Sequence, residues 1–567
     1  MSNIADNKKI RSHLKDLFER KKYSKIILKI ENISGENERN SFLHNLYGTC
    51  KALSPNRNEK DLLVALDNFK NAYLKGKNTL QGLHSLENFA NVSIELENHT
   101  NSYDFFLNSV KFYEEVEKQN TYNEKLVGAI SKVYKRLLNV KKRIETLKKT
   151  IDQGTQNKLF WCSYIYTNNF SYNWKQIDYY KFSEKFKNFS KKYEIKKNKN
   201  FIKFDFKKPR IGFVSGSVNP NHSTNYFLES LLKNIDIKKI DIYFFSLTDL
   251  KEENNFDIKI KKYFKKWINI SELNLENSIK VIQKNKINIL IDLMGVTGPN
   301  KIELFQNRVS PIQILWLGYN NTVGLKNLDY LILDTNLIKQ NEEEMYHEEI
   351  IKLKNIWNSH TGFDFKRKKN ESPYKRNKYI TFCSFNNYLK ISDDVVETWS
   401  EILKKVPNSK LLLKSSTKFN KKSILKKFNK LNLDDSLIVL DHCKSHEDHL
   451  MQYKEADLAL DTFPYTGVTT SFEALWMNVP VLTMKGFNSN SRCGESINLN
   501  ANIEFFIAKD KEEYIDKAIY ISENLEKLDH YRDKLFNEIL SSPLFDTNKF
   551  ADEFLNKLDY IFNKHKN

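Results

Sequence analysis

Between Leu460 and Met484 the chain reads LDTFPYTGVTTSFEALWMNVPVLTM, an apolar run that ends in Asp461 and restarts as a helix. Gly467, Thr469 and Thr470 form a small, donor-rich turn between the two. A helix N-terminus carries unpaired backbone N–H groups and a partial positive charge, so a turn of this make-up suits a phosphate or diphosphate. Glu473, three residues further on, adds a carboxylate able to hold a sugar hydroxyl. The same spacing also fits a plain connection in which Thr470 or Ser471 merely caps the helix.

Further candidates lie where other apolar runs end. His222 follows RIGFVSGSVNPN and precedes a helical stretch, where an imidazole accepts a proton, binds phosphate or simply caps. In ITFCSFNNYLKIS the run passes into Asn387 and Lys390, an amide and an ammonium. A lysine is a compact point charge suited to a diphosphate leaving group, although in so lysine-rich a chain it also reads as a solvated helix start. SHEDHLMQYKEADLALD puts His446 and His449 at i, i+3 on one helical face. With no third ligand evident, this predicts no metal pair. His449 instead offers a flat surface to a base, with His446 as its hydrogen-bonding neighbour.

The elements that must position these residues change character along the chain. Nine of the ten prolines and ten of the sixteen glycines lie after residue 205. Before that point LLVALDNFKNAYLK, SLENFANVSIELE, SYDFFLNSVKFYEEVEK, KLVGAISKVYKRLL and KKRIETLKKTID place apolar residues at helical spacing, which predicts paired helices. From Arg210 the apolar runs RIGFVS, DIYFFSL, INILIDLMG, PIQILWLG and DYLILD alternate with amphipathic segments. A lysine-rich break from 365 to 377 separates them from a second series, YITFCSF, KLLLKS, SLIVLD, ADLALD, PVLTM and EFFIA. Such alternation predicts βαβ units with parallel sheets and two Rossmann-like domains that share a cleft at their carboxyl edges. No GxGxxG follows the first run, which disfavours a dinucleotide-dependent dehydrogenase.

Composition bounds the function. A chain of 567 residues with 40% hydrophobic and 13% aromatic content buries sizeable cores in several domain-sized units. No window approaches the ~18 apolar residues of a membrane span, and the charged N-terminus lacks a secretory h-region, so a cytoplasmic location is expected. The cysteines 50, 162, 383, 443 and 493 are scattered and never spaced CxxC, which argues against a disulfide framework or a zinc site and predicts reduced core thiols. A net charge of +20 invites a nucleic-acid partner. The lysines are dispersed among asparagine and isoleucine, however, which weakens that reading, so no nucleic-acid partner is expected and attraction of an anionic substrate or acidic partner remains.

Several separated motifs in order, RIGFVSG with His222, IDLMGVTGPNKIELFQNRVSPIQILWLGY, FNNYLKIS, EDHLMQYKEADLALDTFPYTGVTTSFEALWMNVPVLTM, SRCGESINL and SSPLFD, make the chain resemble glycosyltransferase family 41, the O-linked N-acetylglucosamine transferase family and its bacterial relatives. The resemblance runs from about Lys207 to the C-terminus. It implies a GT-B fold: two Rossmann-like domains facing a cleft, preceded by a helical, degenerate tetratricopeptide-like domain. The implied boundaries are 1–200 for the helical part, 207–365 for the N-terminal catalytic half and 366–567 for the nucleotide-sugar-binding half. The short region between the halves agrees with bacterial members.

By the same resemblance, Lys390 and the Thr469–Thr470 pair bind a nucleotide diphosphate, His449 stacks near uracil and Glu473 contacts ribose. Asn387 stands where a glutamine is common and is expected to reach a phosphate, His446 and Gly467 join the donor site, His222 matches an active-site histidine, and Thr297, Gly318 and Asp461 are expected to line the cleft. The implied reaction is displacement with inversion at the anomeric carbon of a UDP-sugar, without a metal or other cofactor, onto a protein side chain. Met294, Asn320 and Val468 depart from the residues frequent in the family, which leaves sugar and acceptor open. A nucleotide-sugar-binding interaction protein without turnover is the alternative, as is a transferase with another donor or a non-protein acceptor.

Overall fold

The apolar runs become parallel strands. The computed structural model describes residues 8–77, 79–99, 101–118, 123–195, 208–217, 222–254, 258–363, 365, 367–414, 417–441, 443 and 445–565. Seven strands form the first sheet: β1 (Arg210–Ser215), β2 (Asp241–Ser246), β3 (Lys266–Asn269), β4 (Ile289–Asp292), β5 (Ile312–Leu315), β6 (Tyr330–Asp334) and β7 (Glu349–Leu353). Six more, β8 (Thr381–Ser384), β9 (Lys410–Lys414), β10 (Leu437–Leu440), β11 (Leu458–Leu460), β12 (Val481–Met484) and β13 (Ile507–Ala508), form the second. Their orders are β3-β2-β1-β4-β5-β6-β7 and β10-β9-β8-β11-β12-β13. All pairings are parallel.

Central strands of such sheets are covered on both faces, which is why they read as unbroken apolar runs. The two strands that sequence patterning did not single out, β3 and β7, are edges of the first sheet and only partly buried. An edge strand has one neighbour and tolerates polar residues, so its hydrophobic signal is diluted. In each sheet the order reverses once, between β1 and β4 and between β8 and β11. Connections leave to opposite sides there, and a crevice opens at the carboxyl ends of the strands.

The N-terminal part is helical, as the periodicity predicts. Asparagine, abundant in the sequence, caps many of these helices: Asn40, Asn58, Asn123 and Asn139 each accept from a first-turn N–H. The chain divides into two compact units, Met1–Phe160 with Ser415–Lys427, and Trp161–Lys414 with Phe428–Asn567. Within the first unit Phe419 packs 4.4 Å from Phe106 and 5.8 Å from Tyr103. The boundary expected near residue 200 falls in 196–207, outside the described residues, whereas the first unit ends forty residues earlier by its packing. Segment 161–195 belongs with the sheets because its aromatics and amides are used there. Trp161 stacks 4.5 Å from Phe189, and Gln176 and Asn321 exchange amide hydrogen bonds of 2.9 and 3.1 Å.

The C-terminal helix Thr547–Lys564 departs from the expected halves, because it returns to the first sheet. Phe554 packs 4.6 Å from Trp316, which is fully buried, and Tyr330 Oη lies 2.9 Å from His565 Nε2. Among the described residues no helix is long and apolar enough to cross a membrane. Phe554 is 1% exposed and Tyr560 on the same helix is 69% exposed. Phe554→Ala is expected to cost roughly 3–5 kcal/mol and Tyr560→Ala within about 0.5 kcal/mol, measured by chemical denaturation. Equal effects would show that the helix is not anchored through Trp316.

Candidate active site

Asp461, just beyond β11, organises the carboxyl edge of the second sheet. Its Oδ1 accepts from the N–H groups of Thr462 (2.9 Å) and Gly467 (2.7 Å) and from Asn386 Nδ2 (3.1 Å). Thr483 Oγ1 donates to Oδ2 at 2.8 Å. Burial pushes this carboxyl up to about 6, against the bonds from Gly467 and Thr483 and the charge of Lys390. The side chain, 2% exposed, is therefore turned into the protein and ties the turn together; it does not line the cleft as the sequence suggests. Gly467 is required because a Cβ there would lie 2.7 Å from Thr470 Oγ1 and 2.8 Å from Ser471 Oγ.

The helix that follows runs from Thr469 to Trp476 with Val468 as N-cap and no side-chain cap bond. The capping alternative for Thr470 and Ser471 is thereby excluded. Thr470 Oγ1 instead donates to Asn386 Oδ1 at 2.8 Å. The Ser471 N–H donates to Val468 O at 3.0 Å, which leaves the N–H groups of Thr469 and Thr470 as the donor end that an anion uses. Lys390 sits on the 3-10 turn Tyr388–Lys390 after β8, donates to Thr466 O at 2.6 Å and lies 4.5 Å from the Tyr465 ring centroid. Burial lowers its pKa and the Asp461 charge opposes that. Asn387, the expected phosphate contact, is exposed and caps the Lys390 turn through a 3.0 Å bond from Leu389 N–H. Its neighbour Asn386, which sequence reading passed over, joins Thr470 to Asp461. The FNN doublet was the only signal, and it does not say which amide faces inward.

Beside this anion-binding end lies a strip of imidazoles. Glu473 accepts from His446 Nε2 on Oε1 and His449 Nε2 on Oε2, each at 3.0 Å. Tyr453 Oη donates to Thr470 O at 3.1 Å. The pairing of His446 and His449 on one face is as expected, but both spend Nε2 on Glu473, which is 4% exposed. Two residues outside the sequence reading extend the strip. Lys414 Nζ lies 2.6 Å from His449 Nδ1, and Tyr226 Oη lies 3.4 Å from His446 Nδ1 with the rings stacked at 5.4 Å. Tyr226 comes from the first half, so the strip crosses the cleft. Among the described residues no group of three or more His, Cys, Asp or Glu is placed to hold a metal ion.

Opposite stands His222, N-cap of the helix Ser223–Leu232. Its Nδ1 accepts from Thr224 N–H at 3.3 Å, so in the neutral ring Nε2 carries the proton; Nε2 lies 3.2 Å from Ser217 Oγ. Burial lowers its pKa. The Met294 thioether accepts from Ser215 Oγ (3.4 Å) and Ser217 Oγ (3.5 Å), which accounts for a methionine at this position beside His222. Thr297 Oγ1 donates to Met294 O at 2.6 Å and closes the turn after β4. Gly318 lets the next loop pass, since a Cβ would lie 2.1 Å from Leu293 O. Asn320 uses a backbone N–H that proline lacks, donating it to Asn490 Oδ1 of the second half at 3.1 Å.

Glu473 generates a test. Burial opposes its charge, but the two imidazole donors outweigh burial and hold the carboxyl down to about 2 from 4.5. A depressed carboxyl contributes stability that is complete above 4.5 and drains as pH falls toward 2. Glu473→Gln is expected to lower the thermal midpoint at neutral pH and to flatten its decline across that acid window. An unchanged slope in a pH series of thermal unfolding would remove Glu473 from this role.

Comparison with known proteins gives the family and the fold. The family described as Glycosyl transferase family 41 matches residues 184–361 and 366–554, more than half of the chain. A Solanum lycopersicum protein named probable UDP-N-acetylglucosamine–peptide N-acetylglucosaminyltransferase SPINDLY is 32% identical over 360 residues, 61% of this chain and 38% of that protein. The protein of Arabidopsis thaliana similarly named, with the designation SEC, is 26% identical over 372 residues, 64% and 38% of the two chains. This chain thus spans 38% of the length of these curated relatives. Among solved structures, a mutant O-GlcNAc transferase of Thermobaculum terrenum has the same fold, with a TM-score of 0.74 over 89% of this chain and 95% of that one at 21% identity. Two parallel-sheet domains facing a cleft, preceded by helices, are the GT-B arrangement that the motifs imply, and the chain belongs to glycosyltransferase family 41.

Proposed function

We propose that this chain is an inverting, metal-independent glycosyltransferase that moves N-acetylglucosamine from its UDP-sugar to a serine or threonine hydroxyl of a protein. One observation carries the reading: the Lys390 ammonium and the N-terminus of the helix Thr469–Trp476, without a side-chain cap, meet at the carboxyl edge of β8 and β11. The family membership and the names of the curated relatives support the donor and the protein acceptor. A cytoplasmic location goes with it, supported by Cys50, Cys162, Cys383 and Cys493, buried and outside any disulfide among the described residues, while Cys443 is half-buried.

In this scheme the acceptor hydroxyl oxygen attacks the anomeric carbon while the bond from that carbon to the β-phosphate oxygen breaks; the electron pair leaves with UDP and the hydroxyl proton is released to solvent. Negative charge grows on the departing phosphate. Lys390 and the N–H groups at Thr469 and Thr470 stabilise it, in the place a divalent ion takes in metal-dependent transferases. His222, with Nδ1 engaged by Thr224 N–H, contributes Nε2–H as a donor to an oxygen of the reactants. His446 and His449, both bonded to Glu473, serve the nucleoside end and not a metal.

Two measurements test the reading. Lys390→Ala is expected to lower turnover by about two to three orders of magnitude, the cost of removing one preorganised donor to the developing charge, in a UDP-release assay. Retained full activity would sink the assignment. The wild-type protein is then incubated with a panel of nucleotide sugars, with and without a chelator, while thermal shift and UDP release are followed. Release with UDP-N-acetylglucosamine that survives chelation is the expected result. A UDP-specific thermal shift with no release or transfer indicates a binding protein, and release with another sugar reassigns the donor.

A further inference from the structure

Lys414 is the last residue of β9, beside β8 in the sheet. It lies in a chain of polar contacts that no catalytic step above uses. Its Nζ is 2.6 Å from His449 Nδ1, His449 Nε2 is 3.0 Å from Glu473 Oε2, Glu473 Oε1 is 3.0 Å from His446 Nε2, and His446 Nδ1 is 3.4 Å from Tyr226 Oη. An ammonium has protons to give and no lone pair, so His449 Nδ1 is the acceptor. A carboxylate only accepts, so His449 Nε2 is the donor at the other end. Both ends therefore demand the same neutral tautomer, with the proton on Nε2.

The ring is also hemmed by its neighbours. Phe385, Tyr453 and His446 lie at centroid distances of 5.7, 5.8 and 5.9 Å, the last nearly parallel at 16°. The His449 side chain nevertheless keeps 13% of its surface accessible. Packing limits where the ring sits, but a half turn about the Cβ–Cγ bond preserves that packing and puts Cδ2 and Cε1 where Nδ1 and Nε2 stood. Only the hydrogen-bonding groups distinguish the two orientations. Glu473 by itself engages only Nε2–H, whereas Lys414 and Glu473 together engage both nitrogens and admit one arrangement.

We infer that Lys414 is a positioning residue of the donor site, fixing the tautomer and orientation of His449 so that its ring is preorganised for the nucleobase of a nucleoside diphosphate. This rests on the proposed function. Preorganisation of this kind acts on binding of the donor and not on the bond-breaking step, so its loss falls on affinity more than on turnover.

The test uses the full chain as wild type, Lys414→Met, which keeps the length of the side chain without its donors, and Lys414→Arg, which restores them. Nitrogen-15 NMR of labelled histidines reads the tautomer of His449, its resonances assigned with His449→Gln; UDP affinity is measured by calorimetry, and donor kinetics follow with the sugar nucleotide that the panel identifies. Wild type is expected to show the Nε2–H pattern. Lys414→Met is expected to lose it, to bind UDP about tenfold more weakly and to raise the donor KM by more than it lowers kcat, while Lys414→Arg returns toward wild type. Identical His449 signals in wild type and Lys414→Met, or unchanged UDP affinity in a variant whose wild type binds UDP, overturn the inference alone. A wild type that binds no UDP overturns the proposed function, and the donor role of Lys414 with it; the NMR comparison then still decides whether Lys414 fixes the ring.

Discussion

The buried carboxylate of Asp461 is the constraint on which the site depends. An ionised group placed inside a protein must be met by donors or it gives up its charge. Four donors converge here, from Thr462, Gly467, Asn386 and Thr483. They come from the turn itself, from the end of β8 and from β12, so one carboxylate sets the spacing of three segments. The position of Lys390 follows, since its turn leaves the same strand end as Asn386 and its Nζ reaches Thr466 within the loop that Asp461 holds.

The first sheet uses the same device twice. Asp292 at the end of β4 accepts from the N–H groups of Met294 (2.9 Å) and Gly295 (3.1 Å), and burial pushes it up to about 7. Asp334 at the end of β6 accepts from Asn336, Leu337 and Trp357 N–H and from Ser496 Oγ, and burial pushes it likewise to about 7. An aspartate that closes a strand can reach the amides of the turn that follows, so the chain leaves the sheet in a defined direction. Ser496 belongs to the second half, and Asp334 therefore also helps hold the halves together.

That junction is polar. Arg492 is 1% exposed, and its guanidinium donates to Leu337 O at 2.9 Å and pairs with Glu342. Asn320 meets Asn490 beside it, and the C-terminal helix covers Trp316 on the first half. Buried polar contacts of this kind are costly to leave unpaired, so they specify one register of the two halves more sharply than an apolar seam would. The cleft between the β1/β4 and β8/β11 crevices is a consequence of that register.

By itself the sequence determined the architecture. Eleven strands announce themselves as apolar runs, nine of them inner strands covered on both faces, and the family motifs RIGFVSG, FNNYLKIS and YTGVTTSFEALW carry the strand ends to which Lys390, Thr469, Thr470 and Glu473 belong. It did not reveal β3 and β7, whose edge positions allow Lys266 and Glu349 to interrupt the pattern. Only the tertiary structure decided that Asp461 faces inward, that Asn386 and not Asn387 joins the Thr470 network, that Lys414 and Tyr226 flank the two histidines, and that the last helix belongs to the first sheet. Periodicity reports which face of an element is covered, because burial recurs with the repeat of the backbone. Hydrogen-bond partners far apart in the chain meet through the crossing of separate strands, and one lysine among many carries no local mark of the imidazole that awaits it.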